Sequence, residues 1–267
     1  MYKLLALDMD GTLLREDGTL SLRNQEAIAA ARAKGVSVLL ASGRPLAGME
    51  PFLQTLGLTS TEDYVLSYNG ALVQNVGTRQ VLSRRQLTGL DVRELYALGQ
   101  ALEVNLHAFC AAQGLIAPRN SPYTERERAV NDVTLTLLDF ATLDPAAAIL
   151  KVMMVDEPGQ LSRAIARLPV ELYTRFTVVQ STPYFLEFLH PECNKGRGVA
   201  ALAAHLGLAA EAVICVGDAG NDKHMLEFAG LGVAMGNATA ELKALADHIT
   251  LSNDEDGVAH VIEQFIL

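Results

Sequence analysis

The amino-acid sequence predicts an α/β fold in which a doubly wound domain with a parallel sheet is interrupted by an inserted α+β domain. Over residues 1–80 short apolar runs alternate with helical patterns, which is typical of βαβ units and a parallel sheet. The alternation stops in residues 83–190, where the order of elements indicates a sheet rich in antiparallel strands. It resumes after Lys195. The chain is therefore expected to leave one domain, build a second and return to the first.

The first part of the core is expected to alternate strands and helices. Strands are predicted over residues 2–7, 36–40 and 64–67, the last followed by the turn pair Asn69-Gly70. We expect the first helix to begin after the N-cap residue Ser21 and to end at Gly35, where a glycine can adopt the left-handed conformation. The second helix is expected to have Pro45 in its first turn and to end near Gly57.

The insert and the end of the chain are interpreted in the same way. In the insert we expect helices over 91–102 and 158–168, strands over 105–111, 150–155, 176–180 and 184–189, and a polar stretch over 119–128. The charges of residues 123–128 are expected to lie on the solvated surface. After the insert we expect helices over 195–206 and from 221, strands over 212–216 and 231–234, and a last amphipathic segment from 258. The predicted domains are a Rossmann-like core of residues 1–82 and 191–267 and an α+β domain of residues 83–190.

The composition limits the classes of function. The 267 residues include 21 Lys and Arg against 31 Asp and Glu, a net charge of −10, which argues against binding to nucleic acid or to an anionic membrane surface. No apolar run approaches the roughly 18 to 20 residues that span a bilayer, and no export signal is visible. The 3 cysteines form no Cys-x-x-Cys pair, which fits a reducing compartment. We expect a cytoplasmic globular protein, either a monomer or a homodimer.

Polar residues follow four of the predicted core strands. The strands of an open parallel sheet end at one edge, where ligands bind, so these residues are expected to meet. They are, in chain order, Asp8-Met9-Asp10-Gly11-Thr12, Ser42-Gly43-Arg44, Asn69-Gly70 and Gly217-Asp218-Ala219-Gly220-Asn221-Asp222. The sheet edge is thus expected to bring together acids, a hydroxyl group, glycines and a cation.

The acids of this edge indicate a divalent metal site. Alternate residues of an extended segment share a face, so the carboxylates of Asp8 and Asp10 are expected to point into one site. Asp218, Asn221 and Asp222 reach the same edge, and oxygen ligands without a Cys or His cluster favour Mg²⁺ over Zn²⁺. The competing interpretations are a Ca²⁺ loop on the first two acids, which would need further oxygen ligands, and acids that only cap a helix.

One segment with a cation suits a phosphate group. Ser42, Gly43 and Arg44 place a hydroxyl group, a backbone amide and a planar cation near an expected helix start. The same residues are compatible with an ordinary strand-to-helix turn. Lys195 opens the helix that follows the insert, a position at which lysines usually only face solvent.

The four motifs, in this order, resemble those of the haloacid dehalogenase superfamily of phosphotransferases. They are Asp8-x-Asp10-Gly11-Thr12, Ser42 after the second strand, Lys195, and Gly217-Asp218-x-x-Asn221-Asp222. The insert lies where the Cof subfamily carries its type IIB cap, and the segments 69–74, 151–158 and 183–187 are similar to bacterial sugar phosphatases of that group. The likeness covers essentially the whole chain.

The resemblance implies a role for each matched residue. Asp8 would be the nucleophile that accepts the phosphoryl group, and Asp10 would be the general acid and base. Mg²⁺ would be held by Asp8, Asp218 and the backbone carbonyl of Asp10, with Asp222 supporting its waters or Lys195. The residues implied to contact phosphate or substrate are Ser42, Gly43, Arg44, Lys195, Asn221, Asn69 and Gly70.

The function that the resemblance implies is a Mg²⁺-dependent phosphatase that hydrolyses small phosphorylated metabolites through an aspartyl-phosphate, with sugar phosphates favoured. Asp8 must be ionised to attack and Asp10 protonated to help the alcohol leave, so their environments must differ. The cap would exclude water and contact the leaving group, with His107 and Arg119 as candidate sugar contacts. The alternatives are a phosphomutase of the same superfamily, a non-catalytic module that senses a phosphorylated metabolite and, with less support, a Mg²⁺-dependent glycosyltransferase.

Overall fold

The computed structural model describes all residues of the chain, Met1 to Leu267. It divides into two compact units, which we call the core (Met1–Arg84 and Asn194–Leu267) and the insert (Arg85–Cys193). The boundaries predicted from the sequence, after residue 82 and before residue 191, fall close to these divisions. None of the helices has the length and apolar character that crossing a bilayer requires.

The strands and helices are numbered in chain order. The strands are β1 (Leu4–Leu7), β2 (Ser37–Ala41), β3 (Tyr64–Ser67), β4 (Leu72–Asn75), β5 (Val81–Arg84), β6 (Asn105–Cys110), β7 (Gly114–Ala117), β8 (Leu135–Leu137), β9 (Ile149–Val155), β10 (Thr177–Thr182), β11 (Phe185–Leu189), β12 (Val213–Gly217), β13 (Leu231–Ala234) and β14 (His248–Ile249). The α-helices are α1 (Leu22–Ala33), α2 (Glu50–Thr55), α3 (Gly89–Ala101), α4 (Pro122–Val130), α5 (Pro158–Ile165), α6 (Leu172–Arg175), α7 (Lys195–His205), α8 (Lys223–Phe228), α9 (Ala240–Leu245) and α10 (Gly257–Phe265).

The core sheet confirms the predicted doubly wound, Rossmann-like pattern. Its 8 strands lie in the order β14-β13-β12-β1-β2-β3-β4-β5. The strands from β14 to β3 are parallel, whereas β4 and β5 are antiparallel to their neighbours. The chain passes from β1 to β2 on one side and from β12 to β13 on the other, so the winding changes direction between β1 and β12. Open α/β sheets bind ligands at the carboxyl ends of their strands at such a point.

Burial explains the apolar composition of the central strands. Every residue of β1 and β12 is buried, and a strand covered on both faces is a continuous apolar run rather than an alternating one. Helix α1 begins and ends as predicted. The Ser21 hydroxyl accepts a hydrogen bond from Asn24 N at its start, and Gly35 has a φ of +78° past its end.

The second helix differs from the prediction at its start. Helix α2 begins at Glu50, and Pro51 rather than Pro45 lies in its first turn. Residues 45–49 instead form hydrogen-bonded turns. The elements β4, β5, α9 and β14 were not predicted from the sequence.

The insert contains a 6-stranded sheet in the order β10-β11-β9-β6-β7-β8. Neighbouring strands are antiparallel except for β7 and β8, so the prediction of an antiparallel-rich sheet is confirmed. Most of the polar stretch over 119–128 belongs to α4, a helix that was not predicted; its Glu125, Arg126 and Arg128 reach solvent as expected, whereas Glu127 does not. Ser121 caps that helix, and its Thr124 and Glu127 are buried. The buried residues of this helix are polar and its outer face is charged, so a pattern based on apolar residues did not indicate a helix here.

Candidate active site

A buried ion cluster lies at the carboxyl ends of β1 and β12, wholly within the core. The Lys195 ammonium group donates hydrogen bonds to Asp8 Oδ1 and, at 2.6 Å, to Asp222 Oδ1. The exposed fractions of these side chains are 0% for Lys195 and Asp222 and 7% for Asp8. Because an ammonium group removed from water costs several kcal/mol, a lysine buried so fully requires such partners.

The strand ladder and a helix start position Asp8 and Lys195. β1 ends at Leu7, but Asp8 N still donates to Val216 O of β12 at 3.0 Å, which fixes the Asp8 backbone. Lys195 is the first residue of α7, whose N-cap Asn194 accepts a hydrogen bond from a backbone N–H of the first turn. The solvent-facing position that is usual for a lysine at a helix start does not apply here.

The loop after β12 positions Asp218 and Asp222. Both carboxylate oxygens of Asp222 are engaged, since Oδ1 accepts from Lys195 and Oδ2 accepts from two backbone N–H groups of its own turn, each at 3.0 Å. Asp218 Oδ1 accepts a hydrogen bond from Thr12 Oγ1 at 3.0 Å. A Cβ on Gly11 would lie 2.5 Å from Asp218 Oδ2, so the Asp218 carboxylate packs directly against that glycine.

The charges of this cluster fit a divalent cation. Oxygen atoms of Asp8, Asp218 and Asp222 lie within 4.8 Å of one another, and these three carboxylates face the single ammonium group of Lys195. Burial raises the pKa of Asp8 well above its ordinary value, and Asp222 and Asp218 raise it further, while Lys195 opposes them. Burial and Asp222 also raise the pKa of Asp218. Oxygen donors with an excess of negative charge suit Mg²⁺.

Lys195 remains a cation at neutral pH. Burial alone would lower its pKa, but the paired carboxylates of Asp222 and Asp8 outweigh burial and raise the pKa above its ordinary value. The cluster therefore contains a fixed positive charge that does not depend on a bound metal.

Asp10 lies apart from the cluster, which corrects the prediction that Asp8 and Asp10 share one face of an extended segment. The strand ends at Leu7, and the chain then turns, with Leu13 N donating to Asp8 O at 3.3 Å. As a result 58% of the Asp10 side chain is exposed. Arg44 binds both of its oxygens, with Nε 2.9 Å from Oδ2 and Nη2 2.5 Å from Oδ1. Arg44, a predicted phosphate contact, is thus paired with Asp10.

A turn after β3 joins the segment of Ser42 to that of Asn221. Asn69 N donates to Ser42 O at 2.9 Å, and Asn69 Oδ1 accepts from Asn221 Nδ2 at 3.0 Å. Ser42 is buried, and its Oγ accepts from Arg44 N at 3.1 Å. Gly43 lies against the same asparagine, because a Cβ there would be 3.1 Å from Asn69 Nδ2. These predicted phosphate contacts therefore lie in one connected group.

Gly70 joins this group to the start of α7. It has a φ of +97°, and a Cβ on it would lie 2.3 Å from Asn194 O, so only glycine fits there. The helix start expected beside Ser42 is absent, because α2 begins only at Glu50. Any anion bound there is held by side chains and loop amides rather than by a helix N-terminus.

Two residues that contact the acidic loops, Thr12 and Asn237, have no role predicted from the sequence. Thr12 bonds to Asp218, and its place in the first motif is a signal that could have indicated it. Asn237 lies 226 residues further along the chain, and its Nδ2 donates a hydrogen bond to Gly11 O at 2.8 Å. No sequence pattern indicates this contact.

His107 of the insert is a packing residue, which corrects its proposed contact with a sugar. It is fully buried, with Nδ1 3.2 Å from Thr124 Oγ1, and burial together with nearby Lys151 lowers its pKa to about 3. It therefore stays neutral at physiological pH. Arg119, the other candidate, lies at the surface, where its Nε donates to Asn105 Oδ1 at 2.9 Å.

The chain is similar to known proteins along almost its whole length. A family model for haloacid dehalogenase-like hydrolases matches residues 5–262. YxeH of Bacillus subtilis, which is named only provisionally as a phosphatase, is 41% identical over 100% of this chain and 99% of its own. The HMP-PP phosphatase of Cronobacter sakazakii is 30% identical over 100% of this chain and 96% of its own.

A solved structure gives the same relationship for the fold. The sugar phosphatase BT4131, of haloacid dehalogenase subclass IIB, matches with a TM-score of 0.81 and 25% identity, and the match covers 98% of each chain. Fold, motif order and sequence likeness agree. The chain therefore belongs to the haloacid dehalogenase-like hydrolases.

Proposed function

We propose that this protein is a Mg²⁺-dependent phosphatase that hydrolyses small phosphorylated metabolites, sugar phosphates foremost. The observation that carries the proposal is the buried cluster in which the Lys195 ammonium group pairs with Asp8 and Asp222, and the Asp218 carboxylate lies beside these two acids. It offers a carboxylate nucleophile, oxygen ligands for a hard cation and a fixed positive charge for phosphoryl oxygens. A cytoplasmic location is part of the proposal and is supported by cysteines that are all buried and form no disulfide bond.

In this proposal two carboxylates divide the chemistry. Asp8 attacks the phosphorus atom, and the bond from phosphorus to the alcohol oxygen breaks as Asp10 gives that oxygen a proton. Water, deprotonated by Asp10, then attacks the phosphorus of the aspartyl-phosphate and releases inorganic phosphate with Asp8 restored. Phosphate monoesters hydrolyse extremely slowly without a catalyst, and the covalent intermediate replaces one difficult step with two easier ones.

The two acids have different surroundings. Asp8 is buried beside a cation, whereas Asp10 is largely exposed at the end of the same loop and is oriented by Arg44. We assign Asp8, Asp218 and the backbone carbonyl of Asp10 to the metal. When bound, Mg²⁺ supplies the positive charge that lets an anionic nucleophile approach a phosphate dianion. Asp222, whose oxygens are already engaged, is assigned to holding Lys195.

The remaining residues are assigned to phosphate and substrate binding. Lys195 offers its ammonium group, and Ser42 and Gly43 lie on the loop after β2. The amides of Asn69 and Asn221 bond to each other beside this loop. Gly70 lets this turn approach the start of α7, and Arg44 is assigned a phosphate contact in addition to its bond with Asp10.

Sugar phosphates are proposed because BT4131, which matches over 98% of the chain, is named a sugar phosphatase of subclass IIB. A second relative is named for another substrate, HMP-PP, so the substrate must be tested broadly. We assign contacts with the leaving group to the insert.

The proposal is tested by phosphate release from a panel of sugar phosphates, HMP-PP and an aryl phosphate, with Mg²⁺ or with EDTA. Release by the wild type, abolished by EDTA and by Asp8→Asn, is the expected result. The matched control is Asp132→Asn, an exposed aspartate with a φ of 49° that asparagine also tolerates, and it should retain full activity. Full activity of Asp8→Asn, or of the wild type in EDTA, would contradict the proposal. If no monoester is hydrolysed, a phosphomutase or a sensing module becomes the better interpretation.

A further inference from the structure

The turn of residues 235–239, which follows β13, bonds to both loops that carry the acids. Met235 N donates to Gly217 O at 3.0 Å and Thr239 N donates to Asp218 O at 3.0 Å. These backbone bonds fix the loop after β12. The side chain of Asn237 reaches the other loop, where its Nδ2 donates to Gly11 O at 2.8 Å.

Gly11 is the point at which the first loop needs support. Its φ is +82°, and any Cβ would lie 2.5 Å from Asp218 Oδ2, so the Asp218 carboxylate requires glycine there. Glycine is also the residue with the greatest backbone freedom. The peptide on its N-terminal side bears the Asp10 carbonyl, and the peptide on its C-terminal side leads to Thr12, which bonds to Asp218. A loop with such a residue at its centre keeps one shape only if other groups hold it.

Asn237 is itself oriented by a second asparagine. Its Oδ1 accepts a hydrogen bond from Asn253 N at 3.0 Å, and Asn253 Nδ2 donates to Leu14 O at 2.9 Å. The two amides therefore connect the carbonyls of Gly11 and Leu14, at the middle and the end of the acidic loop. Asn237 is exposed, so packing of the core does not require an amide at this position.

We infer that Asn237 is a positioning residue for the reaction of the proposed phosphatase, on which this inference rests. It does not contact substrate. It holds the peptide after Gly11 and thereby sets the orientation of the Asp10 carbonyl and of the Thr12 hydroxyl that bonds to Asp218. Loss of its amide leaves the fold intact but lets the loop sample other orientations, so the metal ligands and Asp10 are placed correctly for a smaller fraction of the time.

Two substitutions at Asn237 separate positioning from folding. Asn237→Ala removes the amide. Asn237→Asp has the same shape and can still accept from Asn253 N, but it turns an oxygen towards Gly11 O, where the amide donated a hydrogen bond. The matched control is Asn120→Asp, an exposed asparagine of the insert whose amide also donates one hydrogen bond, at 3.2 Å to Glu125.

The experiment measures kcat and KM for an aryl phosphate, the Tm in EDTA, and the Mg²⁺ concentration that gives half of the maximal Mg²⁺-induced rise in Tm without substrate. For both Asn237 variants we expect kcat to fall about tenfold, as expected for one positioning hydrogen bond, with KM within about twofold of the wild type. Their Tm in EDTA should match that of the control. Asn237→Ala should need several times more Mg²⁺ for the thermal shift, a result that does not depend on turnover.

A kcat of both variants within twofold of the wild type would overturn the inference. So would a fall in kcat of Asn237→Ala accompanied by a lower Tm and an unchanged Mg²⁺ requirement, because that pattern indicates a purely structural bond. If the wild type binds Mg²⁺ but releases no phosphate, the proposed function and this inference both fail. Active wild type with unaffected variants counts against the inference alone.

Discussion

The Lys195 ammonium group and the Asp222 carboxylate form an ion pair at 2.6 Å in which neither side chain is exposed to solvent. Asp8 accepts a hydrogen bond from the same ammonium group. One cation thus holds together the start of α7 and the loops that follow β1 and β12. The contacts that would bind the phosphoryl group therefore also stabilise the fold.

Replacement of the buried lysine is expected to cost both stability and activity. Lys195→Met leaves the carboxylates of Asp8 and Asp222 buried without their cation, so the free energy of unfolding should fall by about 3–5 kcal/mol and phosphate release should be lost. Urea denaturation measures the change. Lys223→Met is the control, because Lys223 is 55% exposed and lies 3.8 Å from Glu227, a pair worth about 0–1 kcal/mol. Equal stability of the two variants would show that the buried pair is not the support described here.

Alanine substitutions at Gly11 and Gly18 separate the effect of backbone strain from the effect of displacing the Asp218 carboxylate. Both have a positive φ, +82° and +78°, so alanine at either position should cost about 1–2 kcal/mol of backbone strain. Only at Gly11 would the new Cβ meet the Asp218 carboxylate, whereas nothing lies within 4 Å at Gly18. Gly11→Ala should therefore lower kcat about a hundredfold and Gly18→Ala should leave it near wild type. An equal fall in kcat for the two variants would show that displacement of the Asp218 carboxylate is not the cause of the loss.

Asp218→Asn is expected to make the metal-free protein more stable and the Mg²⁺-bound protein less so. Burial and Asp222 raise the pKa of Asp218, so ionisation of this carboxyl group destabilises the folded protein relative to the unfolded chain. Removal of one negative charge should increase the free energy of unfolding in EDTA by on the order of 1 kcal/mol and should abolish most of the stabilisation by Mg²⁺. Urea denaturation with and without Mg²⁺ tests this, with Asp132→Asn as the control. Undiminished stabilisation by Mg²⁺ would exclude Asp218 as a ligand.

The Mg²⁺-induced rise in Tm should increase with pH. The raised pKa of Asp8 means that the folded protein binds this proton more tightly than the unfolded chain does. Its contribution to stability in EDTA is therefore present at low pH and is lost as the pH rises above the ordinary value of 3.8 and through the raised one. Mg²⁺ competes with the proton for the same carboxylate, so its effect should grow as the pH rises above 3.8 and through the raised pKa of Asp8. A rise in Tm that is the same at every pH would contradict this coupling.

Sequence reasoning locates the acids of the site because the positions that follow buried strands are local features. Asp8 and Asp218 follow apolar runs that become neighbouring strands, and the sheet brings them together whatever the loops do. The same holds for Ser42 after β2. Helix α1 was also predictable, because Ser21 and Gly35 mark its ends by local chemistry.

The orientation of side chains beyond the strand ends was not predictable in this way. The chain turns immediately after Asp8, which directs Asp10 to Arg44 rather than into the cluster. The bond of Asn237 to Gly11 depends on loops that meet only in the folded protein. Burial of Lys195 is likewise a property of the assembled sheet edge, since a lysine at a helix start carries no local signal of it.

The covalent role of Asp8 is tested most directly by mass spectrometry of protein quenched in acid during turnover of an aryl phosphate with Mg²⁺. Asp10→Asn is the useful variant, because an aryl leaving group needs little help from an acid while hydrolysis of the intermediate needs the base. We expect the mass of one phosphoryl group on the peptide that contains Asp8, more in this variant than in wild type and absent from Asp8→Asn. Phosphate release with no modified peptide, or with the phosphoryl group on another residue, would contradict the assignment of Asp8 as the nucleophile.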